Sequence, residues 1–154
     1  MRNNINNSIR IILIIACSIL FSCATTQQTQ LKSRDDEVHN NRGFAYCQIG
    51  QYDQAILDFS KAIEINPRLA HAYNNRGWAY IKKWQYDHAI SDFNKTIEID
   101  PRFVEAYFHR AIVYFLVEEY DKSLLDVIKA QKLGCQIPPK FLDDLRKAVG
   151  GIGV

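Results

Sequence analysis

The sequence lacks the motifs and the charge excess that mark most enzymes and nucleic-acid-binding proteins. It contains no HExxH, GxSxG, glycine-rich phosphate loop or paired CxxC motif, so it predicts no catalysis and no cofactor. Two of the 19 basic residues, Arg2 and Arg10, lie within the first 22 residues, and the remainder carries 17 basic and 17 acidic residues. Because binding to phosphates requires a basic surface, nucleic acid is not an expected partner.

The chain also has no apolar run long enough to cross a bilayer. The longest, IILIIACSILF from Ile11 to Phe21, has about half of the ~20 residues that a transmembrane helix needs. A short apolar run after arginines and polar residues is typical of an export signal. The alternative is an uncleaved N-terminal anchor helix. Both interpretations place the body on a membrane, outside the cytoplasm.

The sequence LFSC, Leu20 to Cys23, follows this run and resembles the lipobox of bacterial lipoproteins. The resemblance implies a signal peptide over 1–22, a lipid on Cys23 and anchoring to a membrane. Cys17, in IIAC, is a competing match, but the apolar segment before it is too short. Ala24, by the same resemblance, favours the outer membrane in a cell with two membranes. Residues 23–35 then form the lipidated cysteine and a flexible tether rich in Thr and Gln.

One phrase recurs along the rest of the chain at an interval of 34 residues. NNRGFAY, from Asn40 to Tyr46, returns as NNRGWAY from Asn74 to Tyr80 and more loosely as FHRAIVY from Phe108 to Tyr114. Several other positions repeat at the same interval. They are Tyr52, Tyr86 and Tyr120; Ala55, Ala89 and Ser123; Phe59, Phe93 and Val127; and Pro67, Pro101 and Cys135.

This 34-residue pattern resembles the tetratricopeptide repeat, a helix-turn-helix unit. The resemblance implies an all-α solenoid of three units, 36–69, 70–103 and 104–135, within 36–135. Because a terminal unit needs a cap, the apolar spacing in KFLDDLRKAV predicts a capping helix within 136–154. We expect the last residues, GGIGV, to fray.

Most of the repeated positions are predicted to serve packing. Gly43, Gly77 and Ala111 lack bulk and allow the two helices of a unit to cross closely. Arg42, Arg76 and Arg110 replace a leucine of the family pattern, and Asp58, Asp92 and Asp126 recur with them. We expect these arginines and aspartates to join the two helices of each unit; the alternative is that the arginines are solvated.

In this family, partners lie on the concave face that the first helices of successive units form. Carrying the family's groove positions across predicts a wall that changes from amide-rich to apolar, in which Trp78, Phe115 and Leu116 are exposed anchors. The alternative is that these aromatic residues pack between units. The predicted groove residues are Asn40, Asn41, Phe44, Cys47, Gln48, Asn74, Asn75, Trp78, Ile81, Lys82, Phe108, His109, Ile112, Phe115 and Leu116.

Two more specific sites are not favoured. One subgroup of the family grips a C-terminal carboxylate, but only Asn75 matches its clamp, and Asn40, Phe44, Glu105 and His109 occupy the other positions. Glu105 and His109, at i,i+4, would need His71 to complete a zinc site. A histidine on a polar groove wall is more commonly a surface residue than a metal ligand. Cys47 and Cys135 are the only cysteines of the body. Lying two units apart, they are expected to stay unpaired.

Together these features predict a non-enzymatic adaptor, anchored to the bacterial envelope through Cys23, that holds a protein or peptide in its groove. A second hypothesis is a homo-oligomer formed through the exposed first helix or the apolar third unit. A metal-dependent enzyme is the third.

Overall fold

The computed structural model describes Ser18, residues 21–22 and residues 35–150. Residues 35–150 contain seven helices and no strand, which confirms the predicted all-α fold. The first, α1, covers residues 35–48. The others are α2 (Tyr52–Ile65), α3 (Ala70–Lys82), α4 (Tyr86–Ile99), α5 (Val104–Leu116), α6 (Tyr120–Lys132) and α7 (Pro139–Gly150).

The chain divides into two compact units, Met1–Asp35 and Asp36–Val154. In the first, Ser18 and residues 21–22 are helical. Cys17, Cys23, most of the predicted signal peptide, the tether at 24–34 and the tail at 151–154 lie outside the described residues; Gly150, predicted to fray, belongs to α7. No helix among the described residues has the length and apolar character that crossing a bilayer requires.

In each unit, the turn between the two helices contains a residue in the left-handed backbone region. Gly50, Trp84 and Glu118 occupy the same place in successive units, with φ of 75°, 62° and 63°. The next residue closes each turn through its backbone N–H, which donates to the carbonyl of Tyr46, Tyr80 or Tyr114. Only the first unit has a glycine, the residue that adopts this conformation most readily.

The close crossing of the two helices of a unit depends on the small residue at the position of Gly43, Gly77 and Ala111. A Cβ on Gly43 would lie 2.8 Å from the Phe59 ring, and one on Gly77 would lie 2.7 Å from the Phe93 ring. In the third unit the pair is Ala111 and Val127, which share one buried cluster. Ala111 is larger than the glycine of the other two units, and Val127 is smaller than their phenylalanine. The three units therefore keep a similar packing at this crossing.

The predicted arginine–aspartate pairs are present in all three units. The guanidinium groups of Arg42, Arg76 and Arg110 each donate from Nε and Nη2 to one carboxylate, at 2.5–2.8 Å. The acceptors, Asp58, Asp92 and Asp126, are buried. Each pair therefore fixes the first helix of a unit against the second.

The buried apolar side chains are unevenly distributed. The cluster formed by α5, α6, α7 and the connection between α6 and α7 has Tyr107, Val127, Ile137 and Leu145 at its centre. The cluster that joins α2 to α3 has only Ala55, Phe59 and Ala79 fully buried. Since α7 packs Leu145, 1% exposed, into the larger cluster, the predicted capping helix is confirmed.

Helix ends and cysteines also follow the predictions. The second helices of the first two units end at Ile65 and Ile99, shortly before Pro67 and Pro101, because proline disfavours helix in the residue before it and cannot donate to the ladder. Cys47 and Cys135 are free, as expected.

Candidate functional site

A cavity of about 300 Å³ opens between α1 and α3. Phe44, Cys47 and Gln48 of α1 line it from one side, and Asn75 and Trp78 of α3 line it from the other. The structure thus brings together five of the predicted groove residues. Phe59 of α2 also lines the cavity. The sequence did not reveal this role, because Phe59 carries the repeated pattern of a packing residue.

The cavity combines aromatic walls with amide groups. Phe44 is 52% exposed, although it is a large apolar side chain. Asn75 Nδ2 donates to Asn40 Oδ1 at 3.1 Å, which orients the Asn75 amide between the two helices. Burial raises the pKa of the Cys47 thiol, which therefore stays neutral. Such a site suits an apolar side chain whose neighbouring backbone bonds to amides.

Trp78 both lines this cavity and packs against the next unit. Its ring centroid lies 5.0 Å from that of His109, and Lys82 Nζ lies 4.6 Å above the Trp78 ring. Trp78 is therefore half-buried between units, as the alternative interpretation expected, and it also lines the cavity; its role as an anchor for a partner stays a prediction. A substitution at Trp78 acts on stability as well as on the cavity.

His109 is held between units and is neutral at pH 7. Its Nδ1 lies 3.0 Å from Asn74 Oδ1, and because an amide oxygen only accepts, Nδ1 is the protonated nitrogen. Burial lowers the pKa of His109 to about 4, against a smaller opposing effect of Glu105. Asn74 is itself buried, so this pair serves the contact between α3 and α5 rather than an open surface.

In the third unit, Phe108 and Phe115 are half-buried, whereas the sequence predicted an exposed Phe115. The Phe115 ring lies 5.4 Å from the Phe141 ring of α7, and Phe108 contacts Phe141 edge-on at 5.6 Å. The sequence predicted α7 as a cap, but not that its Phe141 would cover this end of the groove. Leu116 is exposed as expected.

The remaining predicted groove residues differ in their availability. Asn41, Gln48 and Lys82 are exposed, while Ile81 and Ile112 are half-buried. Ile81 packs against the cluster of Ala89, Phe93 and Val113. The open part of the groove is therefore its first half, between α1 and α3.

The three residues considered for zinc do not meet. The His71 ring packs on Phe103 at 4.9 Å, whereas His109 packs on Trp78. Among the described residues, no group of three His, Cys, Asp or Glu side chains is arranged to hold a metal ion.

A second cavity, of about 360 Å³, lies between α6 and α7. Leu124, Ile128, Leu142 and Val149 contribute to its mostly apolar lining. The apolar spacing of α7 was visible in the sequence, but it indicated only a cap and not an incompletely filled contact.

Comparison with known proteins supports the repeat assignment. The tetratricopeptide repeat family model matches residues 37–69 and 70–103. No curated protein sequence matches the chain.

Three solved structures illustrate the similarity of fold. The first TPR of Spaghetti (RPAP3), bound to the HSP90 peptide SRMEEVD, is 23% identical with a TM-score of 0.73 over 79% of this chain and 96% of that one. The TPR2B domain of yeast Sti1 in its pHsp70 complex is 27% identical with a TM-score of 0.69 over 77% and 98%. MamA is 29% identical with a TM-score of 0.62 over 64% and 58%.

The helix pairs, their 34-residue interval, the family match and these structural neighbours agree. Residues 37–103 thus match the tetratricopeptide repeat, and residues 35–150 have the all-α tetratricopeptide-repeat fold, with three helix pairs followed by a capping helix.

Proposed function

We propose that this protein is a non-enzymatic adaptor that binds a protein or peptide segment in the groove between α1 and α3. The observation that carries the proposal is the cavity between these helices, which is lined by the half-exposed Phe44, by Trp78 and by the amides of Gln48 and Asn75. An apolar side chain of the partner fills the cavity. The amides bond to the partner's backbone on either side of it.

The structural neighbours support a peptide as the ligand. The RPAP3 domain was solved with an HSP90 peptide and the Sti1 domain with pHsp70, so this fold carries peptide grooves in those proteins. At these identities the similarity supports the fold, and a peptide ligand is proposed here by analogy without implying the same peptide.

The partner segment is proposed to be internal rather than a chain end. A C-terminal carboxylate needs cationic or N–H donors. Of the clamp positions here, Asn75 matches and bonds to Asn40, and the others hold the apolar Phe44, the acidic Glu105 and His109. The low pKa of His109, about 4, keeps it uncharged. A free carboxylate would therefore gain little in this groove.

Selection of linear peptides from a displayed library against the full chain in mild detergent tests the groove. We expect Phe44→Ala to weaken selected peptides at least tenfold, about 1.4 kcal/mol or more, with an unchanged melting temperature because Phe44 is half-exposed. Trp84→Ala is the matched control, since Trp84 is an exposed aromatic residue outside the cavity. Equal binding by wild type and Phe44→Ala would move the site elsewhere.

We further propose that Cys23 carries a lipid that anchors the protein to the bacterial envelope, in the outer membrane where the cell has two. The support is the match of LFSC at the end of a short apolar run. Cys23→Ser should leave a precursor of unprocessed mass that takes up no labelled fatty acid, while Cys17→Ser should behave as wild type. Continued labelling of the Cys23 variant contradicts this anchor.

A further inference from the structure

In the second and third units, the first helix contacts the preceding unit through the same apolar positions. Ala72 and Ala79 of α3, and Ala106 and Val113 of α5, are all fully buried. The equivalent residues of α1 are Val38, which is 57% exposed, and Ala45, which is also exposed. Within residues 35–150, no helix precedes α1 to cover them.

The arginine of α1 also lacks a hydrogen bond that the equivalent arginines of α3 and α5 make with the preceding unit. Arg76 Nη1 donates to Ser60 Oγ of the preceding unit at 3.0 Å, and Arg110 Nη1 donates to Asn94 Oδ1 at 2.5 Å. Arg42 uses Nε and Nη2 on Asp58, but its Nη1 makes no hydrogen bond with the described residues. The Arg42 side chain is accordingly 51% exposed, against 19% for Arg76 and 18% for Arg110.

A third contact, between the first helices of successive units, is likewise made by α3 and α5 but not by α1 with the described residues. Asn75 bonds to Asn40 of the preceding first helix, and His109 bonds to Asn74. Asn41 is the equivalent residue of α1; it is exposed and bonds to no described residue. We call the surface formed by Val38, Asn41, Arg42 and Ala45 the leading face. Its groups are equivalent to those with which α3 and α5 bind the preceding unit, and within residues 35–150 no unit precedes α1.

The other end of the stack does not complement the leading face. At the position of Ser60 and Asn94, α6 has Ile128, which offers no acceptor to a guanidinium. The adjoining α7 packs on α6 and occupies the place of a further unit. A second copy therefore does not continue the stack head to tail.

The leading face is instead complementary to itself, and we propose that two copies pair through it, α1 against antiparallel α1. In a two-fold pair centred between residues 41 and 42, Val38 lies opposite Ala45 of the second copy, and Asn41 lies opposite Arg42 of the second copy. Arg42 Nη1 then donates to an amide oxygen, the same bond that joins Arg110 to Asn94. Each contact occurs twice, as two-fold symmetry requires.

Charge does not oppose this pairing. The two Arg42 guanidinium groups approach the interface, but each is already neutralised by a bidentate bond to its own Asp58. A contact between two helices of about four turns buries less than the ~1,200 Å² of a standard interface. The pair is consequently weak and depends on protein concentration.

Sedimentation velocity of the full chain in mild detergent, over roughly a hundredfold range of concentration, tests this pairing. We expect a monomer–dimer equilibrium. Val38→Asp should raise the dimer Kd at least tenfold, because it places a carboxylate in each apolar contact. Leu125→Asp is the matched control, since Leu125 is 67% exposed on α6 and lies away from the leading face. It should leave the Kd unchanged.

Substitutions at Asn41 distinguish the proposed bond from general stickiness. Asn41→Leu removes the acceptor and should weaken the dimer several-fold, whereas Asn41→Asp charges the acceptor and should tighten it. A monomer at every concentration overturns the proposal. So does association that Val38→Asp leaves intact, which is the result expected if the apolar run Ile11–Phe21 or the α6–α7 surface were responsible.

Discussion

At the scale of single residues, the tightest requirement is at Gly77. A Cβ there would lie 2.7 Å from Phe93, a separation that forces either the ring or the backbone to move. The third unit shows how the same crossing is made with a larger first residue, because Ala111 faces Val127 in place of Phe93. The two positions should therefore be energetically coupled.

We predict that Gly77→Ala lowers the free energy of unfolding by about 1–3 kcal/mol through overpacking. Adding Phe93→Val should cost less than the two single changes together, by about 1 kcal/mol or more in a double-mutant cycle. Denaturant unfolding measures all four proteins. Gly150→Ala, where a Cβ meets nothing within 4 Å, is the control; strict additivity of the pair would contradict the coupling.

Trp84 is a second residue under local constraint. It adopts φ of 62° while 78% exposed, and this conformation costs an L residue roughly 1–2 kcal/mol relative to glycine. We predict that Trp84→Gly, which copies Gly50, raises the free energy of unfolding by about 1 kcal/mol, and that Trp84→Ala gives no such gain. A loss of stability in the glycine variant would mean that the indole ring makes a stabilising contact.

At the scale of elements, the arginine–aspartate pairs fix helix orientation more than they add stability. Arg76 and Asp92 are largely removed from water, so the attraction between them is offset by lost hydration. Their value lies in holding α3, which carries Trp78, at one angle to α4.

We predict that Asp92→Ala alone costs about 3–5 kcal/mol, because it leaves a buried guanidinium without a carboxylate. The double variant Arg76→Met with Asp92→Leu should recover most of this loss. Thermal and denaturant unfolding provide the comparison, and Glu98→Ala, which removes an exposed ion pair with Lys95 on α4, should change stability by less than about 1 kcal/mol. A double variant as unstable as Asp92→Ala would indicate a net stabilising pair.

At the scale of the whole molecule, the contact between the second and third units depends on an uncharged histidine. Burial lowers the pKa of His109 to about 4, whereas a histidine in the unfolded chain has a pKa of about 6.5. The unfolded chain therefore takes up this proton first as the pH falls. The contribution to stability is complete above pH ~6.5 and is lost progressively toward pH ~4.

We predict that acidification from pH 7 to pH 4.5 lowers the free energy of unfolding, with His109 accounting for on the order of 2 kcal/mol. His109→Gln retains a donor for Asn74 but does not titrate in this range, and it should lose correspondingly less stability between the two pH values. The exposed His88 provides a matched control in His88→Gln. Equal pH dependence of wild type and both variants would remove His109 as the cause.

The repeat interval explains why so much of the fold was predictable from the sequence. Residues at the positions of Gly77 and Arg76 recur because the two helices of each unit pack in the same way. Three copies of the pattern therefore predict one helix pair three times. Phe141 occurs once, and no interval indicated that it would cover Phe108 and Phe115. Contacts at the ends of a stack, like the filling of an individual cavity, depend on unrepeated side-chain shapes and not on a pattern.

The uneven core implies that the molecule does not open uniformly. The third unit and α7 share the larger buried cluster, whereas within residues 35–150 no helix packs on the leading face of α1. Backbone amides of α1 should therefore exchange with deuterium through local opening well below the global unfolding energy, while those of α5 and α6 exchange last. The proposed groove borders the end that opens most easily, so a bound peptide should slow exchange in α1 more than in any other helix.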